Sequence, residues 1–254
     1  MRAVRTWLSC GVAIATTFLT IAAPQLIQRA NAAGACGTLL NLQVGTASNQ
    51  YSGTQPMTYE GARATISNPG GFNPCSPGDT RPGYNFTTTW VMWFSSGPNG
   101  AYAQSGYMYR YGYSCTKLWA EQNDGTTYHD YELGGCASTG TSHSFTEKAV
   151  YSSGSWHEAS YSDSTVIHTS VFNPFAYPTP YQVAFDAETY YAASDVAGSY
   201  TTPQEYTNKQ VQNYADDQFY TTSGNVYMTP LLNQNSARWS VDAPCCAHSR
   251  TWTN

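Results

Sequence analysis

The sequence has few charged residues for its length. Only 11% of its 254 residues are charged, with 11 Lys and Arg against 16 Asp and Glu. The formal net charge is therefore −5, whereas proteins that bind nucleic acids or anionic membranes present clusters of positive charge. We expect a protein without a nucleic-acid partner and without affinity for anionic membrane surfaces.

Long apolar runs are also scarce, and the longest one lies at the N-terminus. Two arginines precede an apolar stretch from Trp7 to Ala23, and the Ala-Asn-Ala sequence at 30–32 fits a small-x-small cleavage site. We predict a secretory signal peptide over residues 1–32, with an uncleaved membrane anchor as the alternative. No later segment of the sequence is apolar for long enough to span a bilayer. The mature protein is therefore expected to be secreted and free of the membrane.

Removal of the signal peptide makes the chain more acidic. Residues 1–32 contain three arginines and no acidic residue, so 8 of the 11 basic residues remain against 16 acidic ones and the net charge becomes −8. The remaining chain of about 220 residues is long enough to bury a large core, since all-β sandwiches of this size are commonly single domains. We expect one domain over residues 33–254, acting as a monomer.

Cysteine is present in an even number once the signal peptide is removed. The chain has 7 cysteines, and Cys10 leaves with the signal peptide. An even number in an oxidising compartment indicates up to three disulfides. We predict a local bridge between Cys115 and Cys136. The remaining cysteines are expected to pair among themselves across the domain: Cys36 and Cys75 with the adjacent Cys245 and Cys246.

Patterns typical of metal sites and of serine hydrolases do not occur in the sequence. There is no CxxC or HxxxH spacing, so we expect no metal ion and no cofactor. The 5 histidines are scattered, and Ser105 lacks the Gly-x-Ser-x-Gly turn of serine hydrolases. Metal-dependent and serine-histidine chemistry are both disfavoured.

Tyrosine, in contrast, is abundant. The chain has 21 tyrosines and 15% aromatic residues, and this usage favours strands over helices. Recurring turn residues between short alternating segments predict an all-β fold, an antiparallel β-sandwich or jelly roll stapled by disulfides. We expect a hairpin of two strands over His143–Ser152 and Trp156–Thr169. One or two helical turns are allowed only within residues 204–218.

Three adjoining strands are predicted between Tyr84 and Asn123, and they carry informative polar residues. Because side chains alternate between the two faces of a strand, Gln104 shares a face with Met108, and Glu121 shares one with Trp119. An amide and a carboxylate among Trp and Met are typical of a partly apolar cleft lined by a few polar groups. A solvated sheet face is the alternative.

A later predicted strand, Tyr181–Tyr191, places Asp186, Glu188 and Tyr190 on one face. A carboxylate buried beside aromatic rings has a raised pKa, because desolvation disfavours its charged form, and it can serve as a general acid or base. A pair of glutamates suits glycoside hydrolysis. A glutamate with an amide suits a different reaction, in which the carboxylate activates water and the amide stabilises an oxyanion.

Four short motifs resemble, in their order and spacing, those of glutamic peptidases of the eqolisin type. The motifs are Trp90-Val91, Gln104-Ser105-Gly106, Trp119-Ala120-Glu121 and Ala187-Glu188. The resemblance implies a concanavalin-like β-sandwich whose concave face is lined by these strands. It also implies that Gln104 is the oxyanion-stabilising amide and Glu188 the water-activating carboxylate of an acid-acting endopeptidase. The residues expected to bind substrate in the same cleft are Trp90, Trp119, Glu121, Asp186 and Tyr190.

The sequence departs from the family pattern after two of these motifs. Met92-Trp93-Phe94 stands where the family has a loop rich in glycine and aspartate, and Thr189-Tyr190-Tyr191 follows the last glutamate. The more distant neprosin-like glutamic peptidases pair two glutamates. Glu121 with Glu188 is therefore an alternative catalytic pair.

A non-catalytic binding module is the competing class of function. Jelly-roll sandwiches commonly bind polysaccharides through exposed aromatic rings, although ordinary packing accounts for many aromatic residues in sheets. The expected partner is therefore an extracellular polypeptide substrate or a polysaccharide, and a polysaccharide lyase or glycosidase is a third possibility. The aromatic candidates are Tyr107, Tyr109, Tyr111, Tyr113, Trp156, Tyr161, Tyr190 and Tyr191.

Overall fold

The computed structural model describes most of the chain beyond residue 40. The described residues are 41–51, 59–72, 74, 86–95, 100–178, 181–189, 195–221, 226–229, 239–245 and 247–254. For residues 41–51, 226–229 and most of 239–245 the description covers the backbone alone. The predicted signal peptide lies outside the described residues, as do Cys36, Cys75, Cys246, Tyr190, Tyr191 and the side chain of Cys245.

Within the described residues, seven strands form the first sheet, and every pairing among them is antiparallel. They are β1 (Asn41–Tyr51), β3 (Phe86–Ser95), β4 (Tyr102–Arg110), β5 (Lys117–Asn123), β6 (Tyr128–Glu132), β10 (Tyr181–Thr189) and β14 (Val226–Thr229). Their spatial order is β14-β1-β10-β3-β4-β5-β6. The three strands predicted between Tyr84 and Asn123 are therefore β3, β4 and β5, side by side.

Nine strands of the described part of the chain form the second sheet. They are β2 (Tyr59–Ser67), β7 (Ser142–Ser152), β8 (Ser155–Ser162), β9 (Thr165–Thr169), β11 (Gly198–Ser199), β12 (Thr202–Asn213), β13 (Gln218–Thr221), β15 (Trp239–Cys245) and β16 (His248–Thr253). The main order is β15-β16-β11-β12-β2-β7-β8-β9, with β13 paired to β12. The two packed sheets confirm the predicted all-β sandwich.

Helical structure is nearly absent from the described part of the chain. A 3₁₀ turn at Pro174–Ala176 begins where the Asn173 side chain accepts a hydrogen bond from the Phe175 backbone N–H. No helix within the described ranges has the length and apolar character needed to cross a membrane.

The main apolar core lies between the two sheets. The alternating residues of facing strands supply it: Ala62, Ala64, Ile66, Phe145, Tyr206 and Val211 from one sheet, and Val91, Tyr107, Val183, Phe185 and Ala187 from the other. The Tyr107 and Phe145 rings meet edge to face, with 5.0 Å between their centroids. Because neighbours along a strand face opposite ways, Trp90, Asp186 and Glu188 point away from this core.

Two of the predicted elements are wrong. Trp156–Thr169 is not one strand, because Asp163 adopts a positive φ of 54° in a tight turn between β8 and β9. Residues 204–218 are not helical, because β12 continues to Asn213 and β13 begins at Gln218. Tyr206 in β12 lies opposite Ile66 in β2 and is fully buried. The pairing of β12 with β2 therefore outweighs any local preference of this segment for helical turns.

The disulfide between Cys115 and Cys136 is confirmed, with 5.7 Å between the two Cα atoms. It joins residues that are 21 positions apart, immediately beside an isolated bridge between Thr116 and Ala137. The bond fastens the connection after β6 to the start of β5.

Replacing both of these cysteines by serine is expected to lower the free energy of unfolding by about 3 kcal/mol, because the loop is then free in the unfolded chain. Urea unfolding of the Cys115→Ser/Cys136→Ser protein, compared with the unaltered protein, measures the difference. Equal unfolding midpoints would show that the bridge does not constrain the unfolded state.

Candidate active site

The candidate site lies on the face of the first sheet that points away from the main core. Strands β10, β3, β4 and β5 are consecutive neighbours, so side chains from four strands meet there. Trp90 in β3 lies opposite Asp186 in β10 and Gly106 in β4. Gly106 in turn lies opposite Trp119 in β5. The four short motifs of the sequence are thus brought onto one surface.

This face carries a second apolar cluster that encloses its polar residues. The cluster consists of Phe86, Trp90, Met92, Phe94, Tyr102, Met108, Trp119 and Ala184. Among them, Gln104 is 4%, Glu121 2%, Glu188 5% and Asp186 0% exposed. The alternative of a solvated sheet face is therefore wrong, and these groups lie in a desolvated environment.

Gly106 lies between Trp90 and Trp119 of the neighbouring strands, where β4 approaches β3 closely. A Cβ atom at this position would lie 1.8 Å from the Thr89 carbonyl oxygen and 2.7 Å from the Trp90 Cα. Both neighbours are backbone atoms, which cannot rotate aside. The glycine of the Gln-Ser-Gly motif is therefore required by the close approach of β3 and β4.

Replacing Gly106 by alanine is expected to lower the free energy of unfolding by about 2 kcal/mol or more, because the backbone of β3 must shift. Gly134→Ala is a matched control, since nothing lies within 4 Å of a Cβ at that exposed position. Urea unfolding of the two variants measures how much each substitution lowers the free energy of unfolding. A Gly106→Ala protein as stable as Gly134→Ala would contradict the close approach.

Glu121 accepts hydrogen bonds from two phenols. The Tyr102 hydroxyl donates to its Oε1, and the Tyr128 hydroxyl donates to its Oε2 at 3.2 Å. Gln104, directly opposite on β4, also hydrogen-bonds to this carboxylate. Burial raises the pKa of Glu121 to about 7, while the three donors and the charge of Arg110 limit the rise.

Glu188 has a sparser set of partners. The Trp90 Nε1–H donates to its Oε2 at 3.2 Å, and its Oε1 has no hydrogen-bond partner within the described structure. Burial raises the pKa of Glu188 to about 8, and the charge of Glu121 adds to the rise. The two glutamates therefore influence one another electrostatically.

Gln104 and Glu188 are offset along the sheet. Gln104 lies opposite Met92 of β3, whereas Glu188 lies opposite Thr88 of the same strand. Four residues of extended strand correspond to roughly 13 Å. The carboxylate beside Gln104 is thus Glu121, which has the same offset from Glu188 along the strands, and the direct pairing of Gln104 with Glu188 stays a prediction.

Tyr102, Tyr128 and Arg110 belong to the site but were not identified from the sequence. Tyr102 could have been found, because it lies two residues before Gln104 and on the same face. Tyr128 depends on the pairing of β6 with β5, in which it lies opposite Asn123. The turn between β5 and β6 sets their register, and no sequence motif marks Tyr128 as a neighbour of Glu121.

The edge of the site is charged. Arg110 at the end of β4 forms an ion pair with Asp130 of β6, and its Nη1 lies 3.7 Å from Glu132. The Tyr113 hydroxyl donates to Glu132 at 2.7 Å. Asp130 and Glu132 therefore balance the positive charge of Arg110, and Arg110 still lowers the pKa of Glu121.

A further set of buried carboxyl groups lies between the two sheets. Glu147 and Glu158 are fully buried, and Ser160 Oγ donates to Glu147 Oε2 at 2.8 Å. Burial raises the pKa of Glu147 well above its ordinary value. Burial raises the pKa of Glu158 likewise, with further rises from the charges of Glu147 and Glu60. The hairpin was predicted from the sequence, but the burial of these two glutamates was not.

Several of the aromatic candidates for polysaccharide binding are structural. Tyr107 is fully buried in the main core, and Tyr109 packs against it. Trp156 is exposed, and it contacts Tyr151 at 5.4 Å and Phe175 at 5.2 Å between ring centroids. Phe175 also contacts Tyr214 at 5.0 Å, so these rings form a continuous row.

No protein-family model matches the chain, and no curated protein is significantly similar to it. No group of three or more His, Cys, Asp or Glu in the described ranges has the geometry to hold a metal ion.

Proposed function

We propose that the chain is a secreted hydrolase of the glutamic-peptidase type that cleaves extracellular polypeptides. The observation that supports this most is the pair of buried carboxyl groups, Glu121 and Glu188, on one apolar sheet face. The charge of one raises the pKa of the other. Titratable groups with perturbed pKa values in a shared apolar environment are characteristic of catalytic sites.

Such a pair can hydrolyse an amide when one carboxyl is ionised and the other protonated. The carboxylate removes a proton from the attacking water, and the acid protonates the leaving amine. The Gln104 side-chain N–H groups are the candidates for stabilising the oxyanion of the tetrahedral intermediate. General acid–base catalysis contributes about 10²- to 10⁴-fold, and an oxyanion donor about 10²- to 10³-fold.

The raised pKa values determine the expected pH range of this reaction. Below about 7 both carboxyls become protonated and the base is lost, and above about 8 both are ionised and the acid is lost. We therefore expect a bell-shaped rate profile near neutral pH. The resemblance to the eqolisin type implies an acid optimum instead, and a rate profile distinguishes the two expectations.

Incubation of the purified protein with casein across the pH range tests the proposal. Fragments are expected from the unaltered protein and from Glu205→Gln, which changes a half-exposed carboxylate on the second sheet. Glu188→Gln should produce none. Fragments from Glu188→Gln at the normal rate would remove the basis of the proposal.

A row of rings, in which Tyr151, Trp156 and Tyr214 are exposed and Phe175 is partly buried, favours a second candidate, binding of polysaccharide through aromatic stacking. Retention of the protein on an insoluble polysaccharide measures it. Binding should weaken in Trp156→Ala and remain unchanged in Glu188→Gln. A protein that passes unretained would exclude this candidate.

A further inference from the structure

We infer that Glu121, rather than Glu188, is the carboxylate that removes the proton from water, and that Glu188 supplies the proton to the leaving amine. This inference rests on the proposed hydrolytic function. It reverses the role that the family resemblance implies for Glu188. The hydrogen bonds and the burial of the two carboxyl groups support this assignment of roles.

The surroundings of Glu121 favour its ionised form. Tyr102 and Tyr128 donate phenolic hydrogen bonds to its two oxygens, and Gln104 hydrogen-bonds to it as well. Donors to a carboxylate stabilise the charged state over the neutral one. A buried carboxylate with several donors resembles the ionised base of an acid–base pair.

The surroundings of Glu188 favour its protonated form. Trp90 provides one donor to Oε2, while Oε1 is buried with no partner in the described structure. A negative charge spread over an unpaired buried oxygen is costly, whereas a protonated carboxyl can use that oxygen as a donor. Glu188 is thus suited to hold a proton until a substrate nitrogen accepts it.

Two charges on this face act in the same direction. Arg110 lowers the pKa of Glu121, whereas the charge that acts on Glu188 is that of Glu121 and raises its pKa. Arg110 is itself paired with Asp130. The remaining charged and titratable side chains that the strands direct to this face are Tyr102 of β4, Lys117 of β5, Tyr128 and Glu132 of β6, and Asp186 of β10.

The inferred reaction balances with water as the second reactant. The water oxygen bonds to the peptide carbonyl carbon while one water proton passes to Glu121. The C–N bond then breaks as the proton of Glu188 passes to the amide nitrogen, which leaves a carboxylic acid and an amine. Proton transfer from Glu121 to Glu188 through solvent restores the starting state.

Tyr102 and Tyr128 are positioning residues in this scheme, since they act through Glu121. Tyr128→Phe removes one donor and keeps the ring. One hydrogen bond corresponds to about 0.5 to 1 pH unit, so we expect the pKa of Glu121 to rise by that amount. The acidic limb of kcat/KM should move upward equally. Tyr200→Phe is the matched control, because that tyrosine is exposed and lies between β11 and β12 of the second sheet.

Carbon-13 NMR of glutamate side-chain carboxyls in the full protein, without substrate, tests the order of ionisation. Glu121→Gln and Glu188→Gln identify the two signals. We expect Glu121 to ionise at lower pH than Glu188, and the Glu188 transition to move to lower pH in Glu121→Gln, where the repelling charge is gone.

The outcomes separate this inference from the proposed function. An active protein in which Glu188 ionises first would overturn the inference alone, as would an acidic limb that Tyr128→Phe leaves unmoved. A protein that hydrolyses no peptide bond at any pH would overturn both, whatever the order of ionisation.

Discussion

Replacing Glu188 by glutamine is expected to lower the rate of peptide hydrolysis by about 10²- to 10⁴-fold. Glutamine preserves the size of the side chain, and its amide oxygen can still accept the hydrogen bond from Trp90. It cannot, however, exchange a proton in the physiological range. The loss should therefore appear in kcat, with unfolding behaviour close to that of the unaltered protein.

Glu121→Gln should cause a loss of the same order, and the double variant should be little slower than either single variant. Residues that act as one unit give strongly non-additive losses, because removing the first already disables the second. Rates on one casein-derived peptide, with Glu205→Gln as the control, measure this. Independent, multiplicative losses would contradict a concerted pair.

The stability of the protein is expected to fall as the pH rises from about 4.5 to about 8. Burial raises the pKa of Glu60 and Glu188 from 4.5 to about 8, and raises those of Glu147 and Glu158 well above 4.5. In this window the folded state holds these protons and the unfolded state has released them. Each such group therefore lowers the free energy of unfolding as the pH rises through this window.

The stabilising contribution of these groups is fully present only at acid pH. Two carboxylates outside the core behave oppositely, because the pKa values of Asp124 and Asp163 are lowered. Hydrogen bonds from Thr126 are the largest cause for Asp124. For Asp163, burial opposes the shift, and hydrogen bonds from Ser144 and His143 produce it. These two contributions are lost as the pH falls below the ordinary aspartate range, which limits stability at very low pH.

Urea unfolding from about pH 4 to pH 8 measures this dependence. In Glu158→Gln one titrating group is removed, so the free energy of unfolding should fall less steeply with pH. Glu205→Gln, on the exposed side of β12, should leave the slope unchanged. A free energy of unfolding that increases from pH 4 to pH 8 would show that the inter-sheet carboxyls are ionised in the folded protein.

The sheets were predictable from the sequence where alternation and turn residues agree. Strands β3, β4 and β5 were predicted because polar and apolar residues alternate between clear turns, and the Cys115–Cys136 bridge because the two residues flank one short hairpin. β12 was missed because its pattern is locally ambiguous. Its pairing with β2, far away in the sequence, decides its conformation.

The composition of the site was predictable, but its geometry was not. The motifs identified Gln104, Glu121 and Glu188, because each is a polar residue set in an apolar strand. The offset between Gln104 and Glu188 depends on the register of β10 and β4 against β3. Strand register is set by long-range packing, so the partnership of Gln104 with Glu121 required the structure.

The inter-sheet carboxyls could not be found from the sequence for a related reason. Glu147 and Glu158 alternate with other residues as surface glutamates would. Their burial follows from the placement of β7 and β8 against β4, where Gln122 of the neighbouring β5 hydrogen-bonds to the Glu158 backbone carbonyl at 3.5 Å. The local alternation of residues in β7 and β8 does not show which face of this hairpin packs against the other sheet.

The pH dependence of kcat/KM for hydrolysis of a casein-derived peptide tests the central role of the Glu121–Glu188 pair most directly. We expect a bell-shaped profile with limbs near 7 and 8, the pKa values of the two buried carboxyls. Both limbs should disappear, with the activity, in Glu121→Gln. Hydrolysis that is absent at every pH, or that proceeds undiminished in Glu121→Gln, would contradict it.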